Sequence, residues 1–212
     1  MSKTTNHQKI LKMIQFTFLL ALVIVLQVVG TFIKIGPLPI SLVLIPIVVG
    51  AFILGIKEGA LLGLAFGVVT TVMGINGTDP FSHYLFQQNA VAFIGICLVK
   101  ATAAGLVAAV VYKALNGAFK NRFKTLSTVL ASVTAPIVNT GIFVVGMLLF
   151  YFNDMSPDNA FFGGGFATMS GPVEVVFLGL AGFNFVGEFL VNLIISPALV
   201  RIIDTVKKKY SR

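Results

Sequence analysis

The sequence has few charged residues for its length. Only 10% of its 212 residues are Asp, Glu, Lys or Arg, against about 25% in soluble domains. Hydrophobic residues make up 57% of the chain, and the mean hydropathy is +0.99. Because a domain this apolar is not stable in water, the composition predicts an all-α integral membrane protein.

Several residue types that site chemistry requires are also scarce. The single cysteine, Cys97, lies inside an apolar run, which excludes a disulfide framework and a cysteine-based metal site. His7 and His83 lie far apart in polar segments, so they offer no metal-binding spacing. There is no phosphate-binding glycine loop and no nucleophile–histidine–acid set at membrane depth. We therefore expect no enzyme activity, no cofactor, no metal and no nucleic-acid partner.

Apolar runs of membrane-spanning length predict a bundle of six transmembrane helices, since one span takes about 20 apolar residues. Pro46 is expected to kink the second helix. Residues 1–212 then form a single membrane domain with short basic tails at 1–12 and 204–212. The expected helices cover residues 13–32, 40–54, 59–73, 88–115, 126–152 and 173–203.

The distribution of basic residues predicts the orientation in the membrane. Thirteen of the 15 Lys and Arg residues fall in the two tails, in the loops after the second and fourth helices, or at the inner ends of the fourth and sixth helices. Lys34 is the exception in an outer loop, and Lys100 lies within a span. Positive residues favour the cytoplasmic side. Both termini are therefore expected on the cytoplasmic side, with loops 33–39, 75–88 and 153–172 on the outer side.

Lys100 lies in the middle of an apolar run, where a charge costs about 2.5–3.5 kcal/mol on insertion scales. At 1.5 Å per residue, Asn139, Asn184 and Glu188 reach a similar depth on neighbouring helices. In one interpretation Lys100 and Glu188 form a structural ion pair, with asparagines bridging helices. In the other, Lys100 binds the carboxylate or another oxygen of a small ligand that Asn139 and Asn184 orient. Gln88, at the start of the same predicted helix, is a further candidate for substrate binding.

Two outward loops have the composition of lids. Pro37 and Pro39 belong to a Gly-Pro-Leu-Pro motif, and Gly164 lies in a run of three glycines that can act as a hinge. Phe161 and Phe162, just before that run, can supply an apolar cover. Loops of this kind are also common as plain linkers, so both interpretations remain open.

Small residues recur at four-residue spacing on two helices. Gly59, Gly63 and Gly67 fall on one face of the third helix, where another helix can approach closely. Packing inside the bundle is the favoured explanation, and a partner interface is the alternative. Thr17 and Ala21 form a second small-xxx-small pair on the first helix and are a candidate docking surface for another membrane subunit.

The order of several segments carries a family resemblance over essentially the whole chain. They are GPLPISLVLIP at 36–46, GAFILG at 50–55, the glycine-spaced segment 59–67, the cationic segment 100–113 and VNT at 138–140. In this order they resemble the vitamin-binding S components of energy-coupling factor (ECF) transporters. That family often carries arginine where Lys100 stands, and Ala-xxx-Ala where this chain has Thr17 and Ala21.

The resemblance implies a six-helix bundle that binds a water-soluble vitamin from outside. It also implies three partner subunits, a transmembrane T component and two cytoplasmic ATPases, with the loaded S component toppling in the membrane to deliver the vitamin. Pantothenate is favoured, because its carboxylate suits Lys100 and its hydroxyl and amide groups suit Asn139 and Asn184. Riboflavin is the alternative vitamin, and a ligand-free structural or assembly membrane protein is the alternative class.

Overall fold

The computed structural model describes residues 2–32, 34–35, 38–39, 42–119, 123–156, 158–159, 161 and 168–210. Side chains are not described at residues 2–5, 34–35, 38–39, 124, 183–184 and most positions beyond 195. Within these limits the chain is helical apart from one pair of two-residue strands, which confirms the all-α class. The helices are α1 (Ser2–Gly30), α2 (Leu44–Ile53), α3 (Ile56–Ile75), α4 (Pro80–Gln88), α5 (Ala90–Ala118), α6 (Lys124–Phe150), the single turn α7 (Pro172–Glu174) and α8 (Phe183–Tyr210).

Two short features complete the described structure. Strands β1 (Lys34–Ile35) and β2 (Leu38–Pro39) pair in antiparallel fashion after α1. A π-helical segment, Val175–Gly182, joins α7 to α8 and buries Val176 and Leu180. Such segments are rare and are frequently found at functional sites.

Five helical segments are long and apolar enough to cross a membrane: Asn6–Gly30, Ile56–Ile75, Ala90–Ala118, Thr125–Phe150 and Pro172–Ile195. The short helix α2 has 10 residues, which gives it a length of about 15 Å. That is about half of the 30 Å hydrocarbon thickness. The structure therefore supports a multi-pass membrane protein with five candidate spans among the described residues.

Helix α2 is shorter than the sequence predicted. It begins at Leu44 instead of residue 40, because residues 42–43 form a turn and residues 40–41 lie outside the described part. Pro46 is its third residue, where the backbone N–H of an ordinary residue would have no intrahelical acceptor. The proline therefore costs the helix no hydrogen bond and marks its first turn, whereas the sequence had predicted a kink there.

Helix α4 lies in a segment for which the sequence predicted only a loop. The Asp79 side chain caps its N-terminus by accepting a hydrogen bond from the Ser82 backbone N–H at 3.3 Å. Pro80 occupies the first helical position, where its fixed φ is compatible with a helix. The Asp-Pro pair is a typical helix-start signal that was overlooked. At the other end, Asn89 separates α4 from α5 and caps α5 through the Ala92 backbone N–H.

The glycines of α3 pack inside the chain, against α5. A Cβ added at Gly63 would overlap the Ala101 carbonyl oxygen, and one added at Gly67 would lie 2.6 Å from the Cys97 carbonyl oxygen. Gly59 likewise faces α2 and α5. Close contact of the two backbones requires the missing side chains. These three glycines are therefore not available to a partner subunit, which corrects their alternative assignment to an external interface.

Candidate functional site

A cavity of about 60 Å³ lies at the end of the bundle that carries α4. Helices α1, α3, α4, α5 and α6 and the π-helical segment all contribute to its wall. This volume is enough for a few water molecules. The apolar part of the lining consists of Phe66, Phe81, Leu85, Phe93, Ile96, Cys97, Phe143, Met147 and Ala181.

The same cavity collects polar side chains from five helices. Two of them, Lys100 and Asn139, are residues that the sequence predicted to meet at one depth. The other polar lining residues were not singled out from the sequence. They are Gln27, Thr70, Asp79, Ser82 and Thr140.

Lys100 lies ten residues beyond the start of α5 and contacts an aromatic ring. Its Nζ is 5.1 Å from the centroid of Phe143, which is within cation–π range. Lys100 and Glu188 are both described, and the structure shows no ion pair within 4.0 Å between them. An ion pair does join Lys12 to Glu58 near the other end of the bundle. The ammonium group of Lys100 thus borders the cavity, and among the described residues no carboxylate forms an ion pair with it.

Glu188 is fully buried behind the cavity wall and contacts Asn139. Its Oε2 accepts a long hydrogen bond, 3.4 Å, from Asn139 Nδ2. Its backbone oxygen accepts a hydrogen bond from Asn192 Nδ2 at 2.8 Å. Because the Asn139 amide nitrogen is directed to Glu188, the amide oxygen is left for the cavity. Glu188 therefore positions Asn139, although it does not line the cavity itself.

Three buried polar atoms of the cavity lining have no hydrogen-bond partner among the described residues: Asp79 Oδ1, Asn139 Oδ1 and Thr140 Oγ1. Their side chains are 6%, 3% and 8% exposed. Leaving one such atom unpaired costs about 1–3 kcal/mol. Buried polar groups are nearly always paired in folded proteins, so three unpaired atoms at one cavity indicate a place for water or a ligand.

Neighbouring threonines show the more usual arrangement. The hydroxyls of Thr70 and Thr71 donate to the carbonyls of Phe66 and Gly67, one turn earlier in α3. Thr70 Oγ1 also accepts a hydrogen bond from Gln27 Nε2 at 3.2 Å, which ties α1 to α3 beside the cavity. The hydroxyl of Thr140, in contrast, is not used in this way within its own helix.

Phe161 packs against aromatic side chains of α4. The ring of Phe161 stacks on Tyr84, with centroids 4.5 Å apart, and lies 6.2 Å from Phe81, which lines the cavity. Asn159 Nδ2 donates to the Tyr84 hydroxyl oxygen at 2.7 Å. Phe161 thus packs on α4 next to a residue of the cavity lining, and its role as a cover stays a prediction. Pro37, Phe162 and Gly164 lie outside the described residues, and only the backbone of Pro39 is described.

Tyr151 holds the junction between α4 and α5. Its hydroxyl donates toward the backbone oxygens of Asn89 and Leu85, at 2.7 and 3.1 Å. Burial raises the pKa of Tyr151 to about 12. The hydroxyl therefore keeps its proton, and its donor role, at every ordinary pH.

Other residues predicted to form the site or an interface lie elsewhere. Gln88 is exposed at the C-terminal end of α4 and does not line the cavity, because this segment ends one helix instead of starting the next. Asn184 belongs to α8, but its side chain is outside the described part. Thr17 and Ala21 are exposed on α1, as a docking surface requires.

The fold and cavity together define a multi-pass helical membrane protein with a polar cavity at one end of its bundle. A family model described as "ECF transporter, substrate-specific component" matches residues 11–200. The chain therefore belongs to the family of substrate-specific components of ECF transporters. Searches of curated proteins and of solved structures give no match.

Membership of this family establishes the general role of the chain. It is a substrate-binding subunit of a membrane transporter and not an enzyme, as the sequence predicted. ECF substrate-specific components work in general with a transmembrane T component and ATPase subunits.

Proposed function

We propose that this chain binds pantothenate for an ECF uptake transporter, with the cavity beside Lys100 as the vitamin site. The observation that carries the proposal is the Lys100 ammonium group bordering a cavity with three unpaired buried polar atoms. A carboxylate on Lys100 satisfies the cation, and the hydroxyl and amide groups of the vitamin can pair with Asn139. Because Asn139 is oriented by Glu188, its amide oxygen is positioned before the ligand binds.

The proposal places the α4 end of the bundle outside and both termini in the cytoplasm of a bacterial plasma membrane. The basic residues of the predicted inner segments support this orientation. Helix α2 would complete six membrane-embedded helices, packed against α3 and α5 without spanning the bilayer by itself.

Binding requires the site to open. Pockets for drug-sized ligands have volumes of about 300–1,000 Å³, whereas this cavity measures about 60 Å³. Helix α4 and Phe161 are the proposed moving elements, because Phe81 of α4 lines the cavity and Phe161 packs against Phe81 and Tyr84. We therefore interpret the structure as a closed form of the site.

The proposed partners are a T component and two ATPases, with α1 as the docking helix. Only 22% of the most apolar window of α1 is buried, compared with 31–44% in the other four candidate spans. Thr17 and Ala21 are small residues on its exposed side, where a partner helix can approach closely. In this scheme the loaded subunit topples while the ATPases work, and so releases the vitamin inside.

Riboflavin is the second candidate, and the aromatic lining of the cavity favours it. Phe66, Phe81, Phe93 and Phe143 surround the cavity and could stack on a flavin ring. Riboflavin has no carboxylate, however, and would leave Lys100 without an anionic partner. Pantothenate is therefore preferred.

The test is to identify the molecule that the purified protein retains. Mass spectrometry of the small molecules released on denaturation is expected to detect pantothenate, and added pantothenate is expected to raise the unfolding temperature. Release of a flavin, seen by its visible absorbance, would establish the alternative vitamin. If no molecule is released and no vitamin stabilises the protein at micromolar concentration, the chain is not a vitamin-binding subunit.

A further inference from the structure

The cavity contains two side chains of opposite charge type that do not pair with each other. Asp79 reaches it from the N-terminus of α4, and Lys100 reaches it from α5. Both are described, and no ion pair within 4.0 Å joins them. An acid and a base that share a cavity but remain apart leave space for a ligand with two chemically different ends.

The hydrogen-bonding groups still available in the cavity are mostly acceptors. Asp79 Oδ2 is occupied by Ser82, whose backbone N–H and hydroxyl both donate to it, so Oδ1 remains free. Asn139 Nδ2 is occupied by Glu188, so its Oδ1 remains free. Neither free oxygen can donate a hydrogen bond. Thr140 Oγ1 can both donate and accept, and Lys100 can only donate.

This inventory determines what a complementary ligand must present. An anionic group matches Lys100, and at least two O–H or N–H donors match the free oxygens of Asp79 and Asn139. A carboxylate without such donors would leave both buried oxygens unpaired, and would also face the Asp79 carboxylate without a compensating proton.

We propose that Asp79 is a substrate-specificity residue, and that the site selects carboxylates whose other end carries hydroxyl or amide donors. The inference rests on the proposed function, because it assumes that the cavity is the ligand site. It assigns a role to Asp79, which the sequence analysis did not single out, and it states which carboxylates the site accepts. Carboxylates lacking donors are rejected even when their size and charge are suitable.

Asp79 is suited to this task because its position is fixed before a ligand arrives. Its hydrogen bonds to Ser82 define the N-terminus of α4, and the side chain is 6% exposed. Phe81, two residues later, lines the cavity under the Phe161 cover. Recognition of a ligand donor by Asp79 would therefore act directly on the helix that closes the site.

The experiment compares two ligands and three proteins. The ligands are pantothenate and the same acid with both hydroxyl groups replaced by hydrogen. The proteins are the unmodified chain, Asp79→Asn and Asp158→Asn. Asparagine is also a good helix cap, so Asp79→Asn retains α4 while it can turn an NH₂ donor toward the cavity. Asp158 is exposed and does not line the cavity, so it serves as the matched control.

The unmodified chain and Asp158→Asn are expected to bind pantothenate about tenfold or more tightly than its dideoxy analogue, because hydrogen bonds to a charged acceptor are lost. Asp79→Asn is expected to lose most of this preference without a large change in unfolding temperature. If pantothenate binds but the analogue binds equally well, or if Asp79→Asn keeps the preference, the inference is wrong while the proposed function stands.

A separate readout covers the case in which pantothenate does not bind. The ligand released from the purified protein is then identified and titrated against the same proteins. A donor-bearing carboxylate whose affinity falls in Asp79→Asn would uphold the inference and replace pantothenate. A ligand without a carboxylate or without donors would overturn the inference. No ligand at all would overturn both proposals.

Discussion

Lys100 is a partly buried lysine within a candidate membrane span, so its charge needs a compensating interaction. A lysine at the centre of a membrane helix costs about 2.5–3.5 kcal/mol on insertion scales. A cation–π contact with a ring such as that of Phe143 offsets about 0.5–2 kcal/mol of this cost. Water or an anion in the adjacent cavity must offset the rest. A ligand carboxylate would supply it, which is why a site that is costly when empty can bind an anion tightly.

The pairing of Glu188 with Asn139 leads to a prediction at the same scale. Glu188→Gln retains an oxygen that can accept from Asn139 Nδ2, so ligand affinity should stay within about threefold of the unmodified chain. Glu188→Ala leaves the amide nitrogen unpaired and should cost about 1–3 kcal/mol of stability, with weaker binding. Thermal unfolding and ligand titration of both variants measure these effects.

The same two variants discriminate between the roles of Glu188. If Glu188→Gln lowered stability and ligand affinity as much as Glu188→Ala, the negative charge of Glu188 itself would be needed. That result would favour the alternative in which Glu188 acts as the counter-ion of Lys100. It would also remove the reason for assigning Lys100 to a ligand.

At the scale of helices, the sequence predicts the long spans well and the short elements poorly. Apolar runs of 20 or more residues can only be stable as membrane helices, and α1, α3, α5 and α6 appear near the expected positions. Helix α4 is polar on one side and has only nine residues, so its composition resembles that of a loop. Its Asp79–Pro80 start was the available signal.

The candidate site was recovered only in part for a related reason. Depth along a helix can be counted from the sequence, and this count predicted that Lys100 and Asn139 lie at a similar depth in the membrane. The direction in which each side chain points depends on helix rotation, which hydropathy does not give. Gln27 and Thr140 line the cavity because of the rotation of their helices, and Asp79 lines it because it starts α4, a helix that the sequence did not predict. Gln88 does not line the cavity, because it ends that same helix.

Packing of α3 against α5 leads to a second prediction. Gly63→Ala would place a methyl group on the Ala101 carbonyl, and overpacking of this kind costs about 1–3 kcal/mol. Gly95→Ala is the matched control, because a Cβ at Gly95 meets no atom within 4 Å. Thermal unfolding in one detergent should show a lower midpoint for Gly63→Ala and no decrease for Gly95→Ala. Equal midpoints would contradict the close contact of α3 and α5.

At the scale of the whole molecule, the proposed ligand site and the proposed docking surface lie on different parts of the protein. The cavity lies inside the bundle, whereas Thr17 and Ala21 lie on the exposed side of α1. Changes in one surface should therefore leave the other intact. This separation is what a subunit needs if it carries a bound ligand while it moves against its partners.

The third prediction follows from that separation. The double variant Thr17→Leu, Ala21→Leu adds bulk where close helix approach is proposed, and should sharply reduce co-purification with the T component and ATPases. Ligand affinity should not change. Val145→Leu, at an exposed apolar position of α6, is the control and should retain the partners. Retention of the partners by the double variant would show that α1 does not dock through this pair.

Titration of pantothenate into the unmodified chain, Lys100→Met and Lys113→Met tests the central claim most directly. Methionine keeps the length and apolar stem of lysine and removes the charge, and Lys113 is an exposed lysine elsewhere on α5. Lys100→Met should remain folded and bind the vitamin about tenfold or more weakly, since a hydrogen bond to a charged group is lost. Lys113→Met should bind normally. A folded Lys100→Met with unchanged affinity would contradict the account.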